Sequence, residues 1–162
     1  LLWFIGFLDN GSPLIMQKRI GRNLEPFVLI KLRTLPINTK SVGTHLLKDV
    51  KLTSYGYFLR RTKLDEIPQL VNILLGDMSL VGPRPNLFNQ EELIAHRTQH
   101  GVYCVRPGIT GLAQINDIDM SMPELLAQTD TKMISELTLG KYFWYIIATV
   151  LGKGSGDRVK SK

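Results

Sequence analysis

Two adjacent carboxylates, Asp65 and Glu66, stand just after a basic cluster of Arg60, Arg61 and Lys63. An apolar series at helical spacing follows, Leu64, Ile67, Leu70, Val71 and Leu74, and then a stiff turn holding one cation, Pro83-Arg84-Pro85. A carboxylate can act as a covalent nucleophile, as in aspartyl-phosphate chemistry. A helix N-terminus would keep Asp65 ionised and would offer N–H groups to a phosphate. Neighbours on a helix point about 100° apart, so the pair cannot close on one atom as a dyad. Separate roles suit it better, one carboxylate attacking while the other holds a metal ion or assists proton transfer. Taken alone, an Asp-Glu pair is more often a solvated helix start favoured by the dipole.

Five cations come from separated places: Lys31, Arg33, Arg60, Arg84 and Arg106. Singly, each reads as a solvated charge. Two of them sit in rigid settings, Pro-Arg-Pro and Val-Arg-Pro-Gly, where the prolines fix the backbone from which the guanidinium starts. Such arginines suit bidentate binding of phosphate. Phosphoryl transfer depends on this kind of positioning and charge neutralisation, usually with Mg²⁺ held by a few carboxylates and phosphate oxygens.

Other candidates carry less. His96 and His100 have i, i+4 spacing but no third ligand pattern, so a surface helix pair is the better reading. Cys104 has no evident base partner and reads as packed and inert; a single cysteine also excludes an internal disulfide. Gly152-Lys153-Gly154 lacks the spacing of a phosphate-binding loop. The net charge of +6 over 162 residues favours anionic partners without choosing among them. Nucleic-acid binding rests on that charge alone, and no RNA-binding or zinc signature accompanies it.

The elements that must position these residues follow from periodicity and turn chemistry. Asp9 to Pro13, DNGSP, is a turn. Leu14 to Gln17 and Phe27 to Leu35 read as strands of a hairpin around Gly21 to Pro26, with Lys31 and Arg33 facing one side. Residues 36 to 52 lack clear periodicity and read as a mobile loop with a short helix near Leu46. Tyr55 to Arg61 is helical, and Leu64 to Leu75 is a helix capped by Asp65 or Thr62, with Pro68 in its first turn and Gly76-Asp77 at its end. Ser79 to Pro85 is a short strand or extended turn. Asn89 to Gln99 is a polar helix, Val102 to Val105 a short apolar run, and Arg106 to Gln114 a tight glycine loop. Pro123 to Leu139 is helical. Lys141 to Leu151 is apolar almost all round, a core helix by default with an interfacial helix as its rival. From Gly152 the chain reads as a flexible basic tail.

The segments DNGSPLIMQKRIG, KLRTL, LDEIPQLVNILLGDMSLVGPRP and VRPGITGLAQ, with a weaker echo around Asp130 and the closing GKGSGDR, cover nearly the whole chain. In this order they resemble the catalytic domain of the bacterial sugar transferases, the monotopic phosphoglycosyl transferases. The resemblance implies an α+β fold: a compact helical, membrane-associated domain with a small β-hairpin or sheet. It implies transfer of a phosphosugar from a nucleotide diphosphosugar, usually a UDP-sugar, to a polyprenyl phosphate such as undecaprenyl phosphate, with release of UMP, at the start of bacterial surface glycan assembly. Asp65 would be the nucleophile and Glu66 its partner beside Mg²⁺, both near the metal. Arg60, Arg84 and Arg106 would line the phosphate site, and Lys31 and Arg33 match its basic strand.

The family also carries an N-terminal re-entrant helix at the cytoplasmic face of the inner membrane. The apolar opening LLWFIGFL, residues 1–8, reads as the end of that helix, or else as a core strand or an ordinary helix end, ahead of a catalytic domain over 9–151 and a basic tail over 152–162. Two departures are visible: INDIDM stands where relatives carry an Asn-Gly or similar turn, and Tyr142 where many carry an aspartate. The alternative reading is a weakened homologue that binds nucleotide sugar or protein at a membrane surface. Intact Asp65, Glu66, Arg84 and Arg106 favour the enzyme. Oligomeric state is left open, with a homo-oligomer as one option.

Overall fold

The structure, a computed structural model, describes residues 6–9, 11–36 and 52–154. Residues 37–51 of the loop expected over 36–52, most of the apolar opening and the end of the basic tail lie outside those residues.

Strands β1 (Leu14–Ile20) and β2 (Pro26–Leu32) form the expected antiparallel hairpin, with Ile15 opposite Lys31 and Arg19 opposite Phe27. Phe27 and Leu29 alternate inward in β2 and pack with Met78, so the period-2 pattern selects the buried face. Helix α1 (Ser54–Thr62) follows, capped by Thr53, whose side chain accepts from the Gly56 N–H. Gly56 presses on the Thr34 carbonyl so closely that a Cβ would sit 2.5 Å from it.

The helix expected over Leu64 to Leu75 is broken. Pro68 has no N–H to give the Leu64 carbonyl, so the chain closes with shorter i to i+3 bonds, Glu66 to Lys63 and Ile67 to Leu64. The result is a 3₁₀ turn, Leu64–Glu66, followed by α2 (Gln69–Leu75). Neither expected cap operates. The Thr62 hydroxyl donates back to Phe58 and Leu59 in α1, and Asp65 makes no capping bond. Lys63, at φ 57, ends α1 in the left-handed region and turns the chain. Gly76, at φ 86, ends α2 as expected.

The expected glycine loop is instead a strand and a short helix. β4 (Gly108–Thr110) pairs in parallel with β3 (Ser79–Val81), and α4 (Leu112–Ile115) follows it. The crossover between the parallel strands carries α3 (Glu91–Gln99) and a 3₁₀ turn, Val102–Cys104. Cys104 is exposed, not packed. The helix expected over Pro123 to Leu139 stops as α5 (Pro123–Ser135), and Thr138 caps a separate α6 (Leu139–Val150) by accepting from the Lys141 N–H. α6 is not a core helix. It packs Tyr145 against Val81 and Met133 and buries Ala148, while Phe143, Trp144, Ile147 and Val150 face outward. The mixed α+β expectation holds, with two small two-stranded sheets among helices. Among the described residues, no helix is long and apolar enough to cross a membrane.

Candidate active site

The break between α1 and α2 makes the site. The left-handed Lys63 and the 3₁₀ turn carry Asp65 inward, where it is 8% exposed. Helix α2 is held to β2 by Asn72, whose Oδ1 accepts from the Ile30 N–H at 3.1 Å and whose Nδ2 donates to the Val28 carbonyl at 2.7 Å. The Asn72 amide thus pairs with the strand edge as another strand would. This brings Lys31 near Asp65. Arg60, in the last turn of α1, is oriented by its Nε donating to the Thr34 hydroxyl at 2.9 Å. Arg84 reaches in from the proline turn and donates to Glu66 Oε1 at 3.0 Å, both side chains being mostly buried.

Burial pushes the Asp65 carboxyl up to about 6, and the charge of Glu66 adds to the rise, against the pull of Lys31, Arg60 and Arg84. Asp65 thus titrates below neutrality, with three cations pulling against its burial. Lys63 is lowered by burial, with Arg84 adding to the fall and Glu66 and Asp117 opposing it. The Lys63 ammonium donates to the Lys153 carbonyl at 2.9 Å and so holds the chain end near the site.

The turn that presents Arg84 is anchored at every carbonyl from Pro83 to Asn86. Pro83 O accepts from Gly108 N, Arg84 O from Arg97 Nη1, Pro85 O from Arg19 Nη1 and Asn86 O from Ile20 N. Ahead of it, Gly82 and Gly108 lie back to back, and a Cβ on Gly108 would overlap the Gly82 backbone. The close approach of these two glycines explains why both segments, VGPRP and RPGIT, carry one.

Of the residues singled out from sequence, Asp65, Glu66, Lys31, Arg60 and Arg84 come together. Arg33 and Arg106 do not join that group. Arg33 donates to the Ser12 and Leu14 carbonyls and ties the base of the hairpin. Arg106 is exposed and lies beside Gly76, at the end of α2 remote from Asp65. Sequence reasoning missed Asn72, Asn86, Arg97 and Asp130. The last two had a signal: each sits four residues from a leucine on the buried side of its helix, Leu93 with Arg97 and Leu126 with Asp130, with opposite charges.

The residues present fit Mg²⁺. Asp65 and Glu66 raise the local negative charge, which a divalent cation would relieve. No cluster of three or more His, Cys, Asp or Glu side chains exists among the described residues. That suits an ion taking one or two carboxylates and completing its shell with phosphate oxygens, not an all-protein cage.

The sequence profile described as Bacterial sugar transferase matches residues 1–153. The chain belongs to the bacterial sugar transferase family. Among the family's curated members, an uncharacterised sugar transferase, EpsL, of Bacillus subtilis is 46% identical over 110 residues, 67% of this chain and 54% of the relative. The undecaprenyl-phosphate galactose phosphotransferase of Salmonella typhimurium is 37% identical over 138 residues, 73% of this chain and 29% of the relative. The UDP-glucose:undecaprenyl-phosphate glucose-1-phosphate transferase of Escherichia coli is 40% identical over 120 residues, 67% of this chain and 25% of the relative. The chain thus spans between a quarter and about half the length of these sugar transferases.

Both expected departures from the family have a structural place. Asp117 of INDIDM takes φ 56, the left-handed geometry a glycine turn would supply. Tyr142 is half-buried on α6, its hydroxyl 3.2 Å from the Ser79 hydroxyl, away from the carboxylate pair.

Proposed function

We propose that this chain forms the catalytic part of a phosphoglycosyl transferase that moves a phosphosugar from a UDP-sugar to undecaprenyl phosphate and releases UMP. One observation carries the reading: a buried, still ionised Asp65 beside Glu66, faced by Lys31, Arg60 and Arg84, in a chain whose relatives bear the names of such transferases. In the first step an Asp65 carboxylate oxygen bonds to the sugar-bearing phosphorus, and the bond from that phosphorus to the bridging oxygen breaks, so UMP leaves. In the second, a phosphate oxygen of the polyprenyl acceptor attacks the same phosphorus and restores the Asp65 carboxylate.

Partial desolvation keeps Asp65 reactive without neutralising it, and the three cations suit the negative diphosphate. Glu66, tied to Arg84, couples the carboxylate pair to the phosphate-binding turn. Asp65 and Glu66 would hold Mg²⁺, which when bound would neutralise phosphate charge.

The surface beside Asp65 suits a lipid acceptor at the cytoplasmic face of the inner membrane. Helix α2 turns its polar Gln69 and Asn72 inward and its apolar Ile67-side neighbours Leu70, Val71, Leu74 and Leu75 outward, Leu74 being 86% exposed. A helix that hides its amides and shows its leucines is matched to an apolar medium.

The test uses the full-length protein with its membrane segment, Mg²⁺ and undecaprenyl phosphate, given UDP-glucose, UDP-galactose and their N-acetyl forms in turn. UMP release with one of them, and a phosphosugar trapped on Asp65, is the expected result. Full turnover by Asp65→Asn would refute the covalent route, and UMP release from none of the sugars would refute the transferase reading.

A further inference from the structure

Among the described residues, the interior holds an ion pair that the reaction scheme does not use. Arg97 of α3 and Asp130 of α5 are 1% and 0% exposed, and Arg97 Nη2 and Nε donate to Asp130 Oδ2 at 2.7 and 3.1 Å. Asp130 Oδ1, also buried, has no hydrogen-bond partner. A buried pair with an oxygen left unsatisfied is a poor device for stability, because apolar residues of similar volume would serve as well. The remaining edge of the guanidinium points elsewhere. Arg97 Nη1 donates to the Arg84 carbonyl at 2.8 Å and to Asn86 Oδ1 at 3.0 Å, and the Tyr103 hydroxyl donates to the same Asn86 oxygen at 3.1 Å.

We infer that Arg97 is a positioning residue for the transfer: locked on one edge by Asp130, it fixes the Arg84 carbonyl with the other and so sets where the Arg84 guanidinium meets Glu66. The inference rests on the reading of Asp65, Glu66 and Arg84 as the reacting site. Pro83 and Pro85 have ring-fixed φ, and of the four anchored carbonyls in the turn the Arg84 carbonyl is the one on the arginine itself. Arg97 holds that carbonyl from the interior, and its side-chain hydrogen bonds go to Asp130, Arg84 and Asn86. Asp130 keeps the fork in register, and Asn86 with Tyr103 closes the far side. Lysine at 97 would preserve the charge facing Asp130 but present one nitrogen in place of a planar fork.

The experiment is a double-mutant cycle in the full-length protein, measuring kcat and KM for UMP release, with UDP-glucose or UDP-galactose as the probe. Arg97→Lys, and separately the paired Arg97→Met/Asp130→Leu, are each combined with Arg84→Ala. The paired variant removes both buried charges, so it should melt close to the unaltered protein. Both backgrounds should lose about 10- to 100-fold in kcat with little change in KM, as expected of a misplaced group. In both, Arg84→Ala should cost at least about tenfold less than it costs the unaltered protein, because its partner is already out of place. Losses that multiply, or an unchanged kcat, would overturn the inference. A ¹⁵N-resolved measurement of the Arg84 Nε signal separates this from failure of the site reading. The signal should shift in Arg97→Lys whether or not turnover is detected, and an unmoved signal would also overturn the inference. If Arg84→Ala alone left turnover intact while the signal moved, the role given to Arg84 would fail and the positioning by Arg97 would stand.

Discussion

The Arg84 guanidinium and the Glu66 carboxylate meet at 3.0 Å across eighteen residues of chain, and this contact joins the proline turn to the carboxylate pair. Arg84 also pulls the Asp65 carboxyl down against its burial. Arg84→Ala should therefore lower kcat/KM for UMP release by about 10²- to 10³-fold, the scale of removing one preorganised donor. Arg84→Lys should recover only part of the loss, since one nitrogen cannot serve Glu66 and a phosphate as a fork does. Steady-state kinetics on the two variants would check this, and equal activity would contradict it.

Asp65 is held at a cost in stability. Its folded-state carboxyl lies at about 6, above the usual carboxylate value, so the folded chain binds more protons than the unfolded one between roughly pH 4 and 6. Stability from this group is complete below that window and is lost as pH rises through it. Asp65→Asn should therefore stabilise the metal-free chain at pH 7.5, by up to about 3 kcal/mol from a two-unit shift, while abolishing turnover. At pH 4.5, near the foot of that window, the gain should shrink to about a third of that. Thermal denaturation in chelator at both values is the measurement, and an unchanged difference between them would contradict the sign.

Asn72 makes a separate structural prediction. Asn72→Leu would leave the Ile30 N–H and the Val28 carbonyl without their partner under α2. The expected destabilisation is about 2–4 kcal/mol, from two unsatisfied backbone groups. Urea unfolding would report it. An alanine at exposed Leu75 should change stability by less than about 0.5 kcal/mol.

The apolar side of α2 predicts a membrane phenotype without a folding phenotype. Leu74→Glu should leave the melting temperature nearly unchanged, because the side chain is 86% exposed. The same variant should reduce co-sedimentation with vesicles of phosphatidylethanolamine and phosphatidylglycerol, and slow transfer to bilayer-held undecaprenyl phosphate. Unchanged sedimentation would remove α2 from the membrane contact.

The hairpin, the two helices around the carboxylate pair and the Asp65, Glu66, Arg84 grouping were legible because each rests on local pattern. Turn residues and β-forming runs marked the hairpin, and the family segments marked the pair. Pairing of β3 with β4 was not legible, since two three-residue strands joined by a long crossover leave almost no period to read. The apolar series on α2 was legible as a stripe, but not as an outward one. That direction follows from Asn72 satisfying the edge of β2, a tertiary fact. Arg97 and Asp130 could be found only by asking why two charges occupy leucine-spaced positions on helices whose other members there are buried.

The four carbonyls from Pro83 to Asn86 are held by groups at Gly108, Arg97, Arg19 and Ile20, the contact from Arg19 to Pro85 spanning 66 residues. Nothing local can make this turn. During folding it closes only after the hairpin, the crossover helix and the second sheet have all come to rest, so competence for chemistry arrives with the last long-range contacts. By the same reasoning the turn has no partial opening of its own: the Gly108 and Ile20 amides that hold it should exchange with solvent only when the whole domain unfolds, and denaturant should extinguish transfer and tertiary structure in one transition.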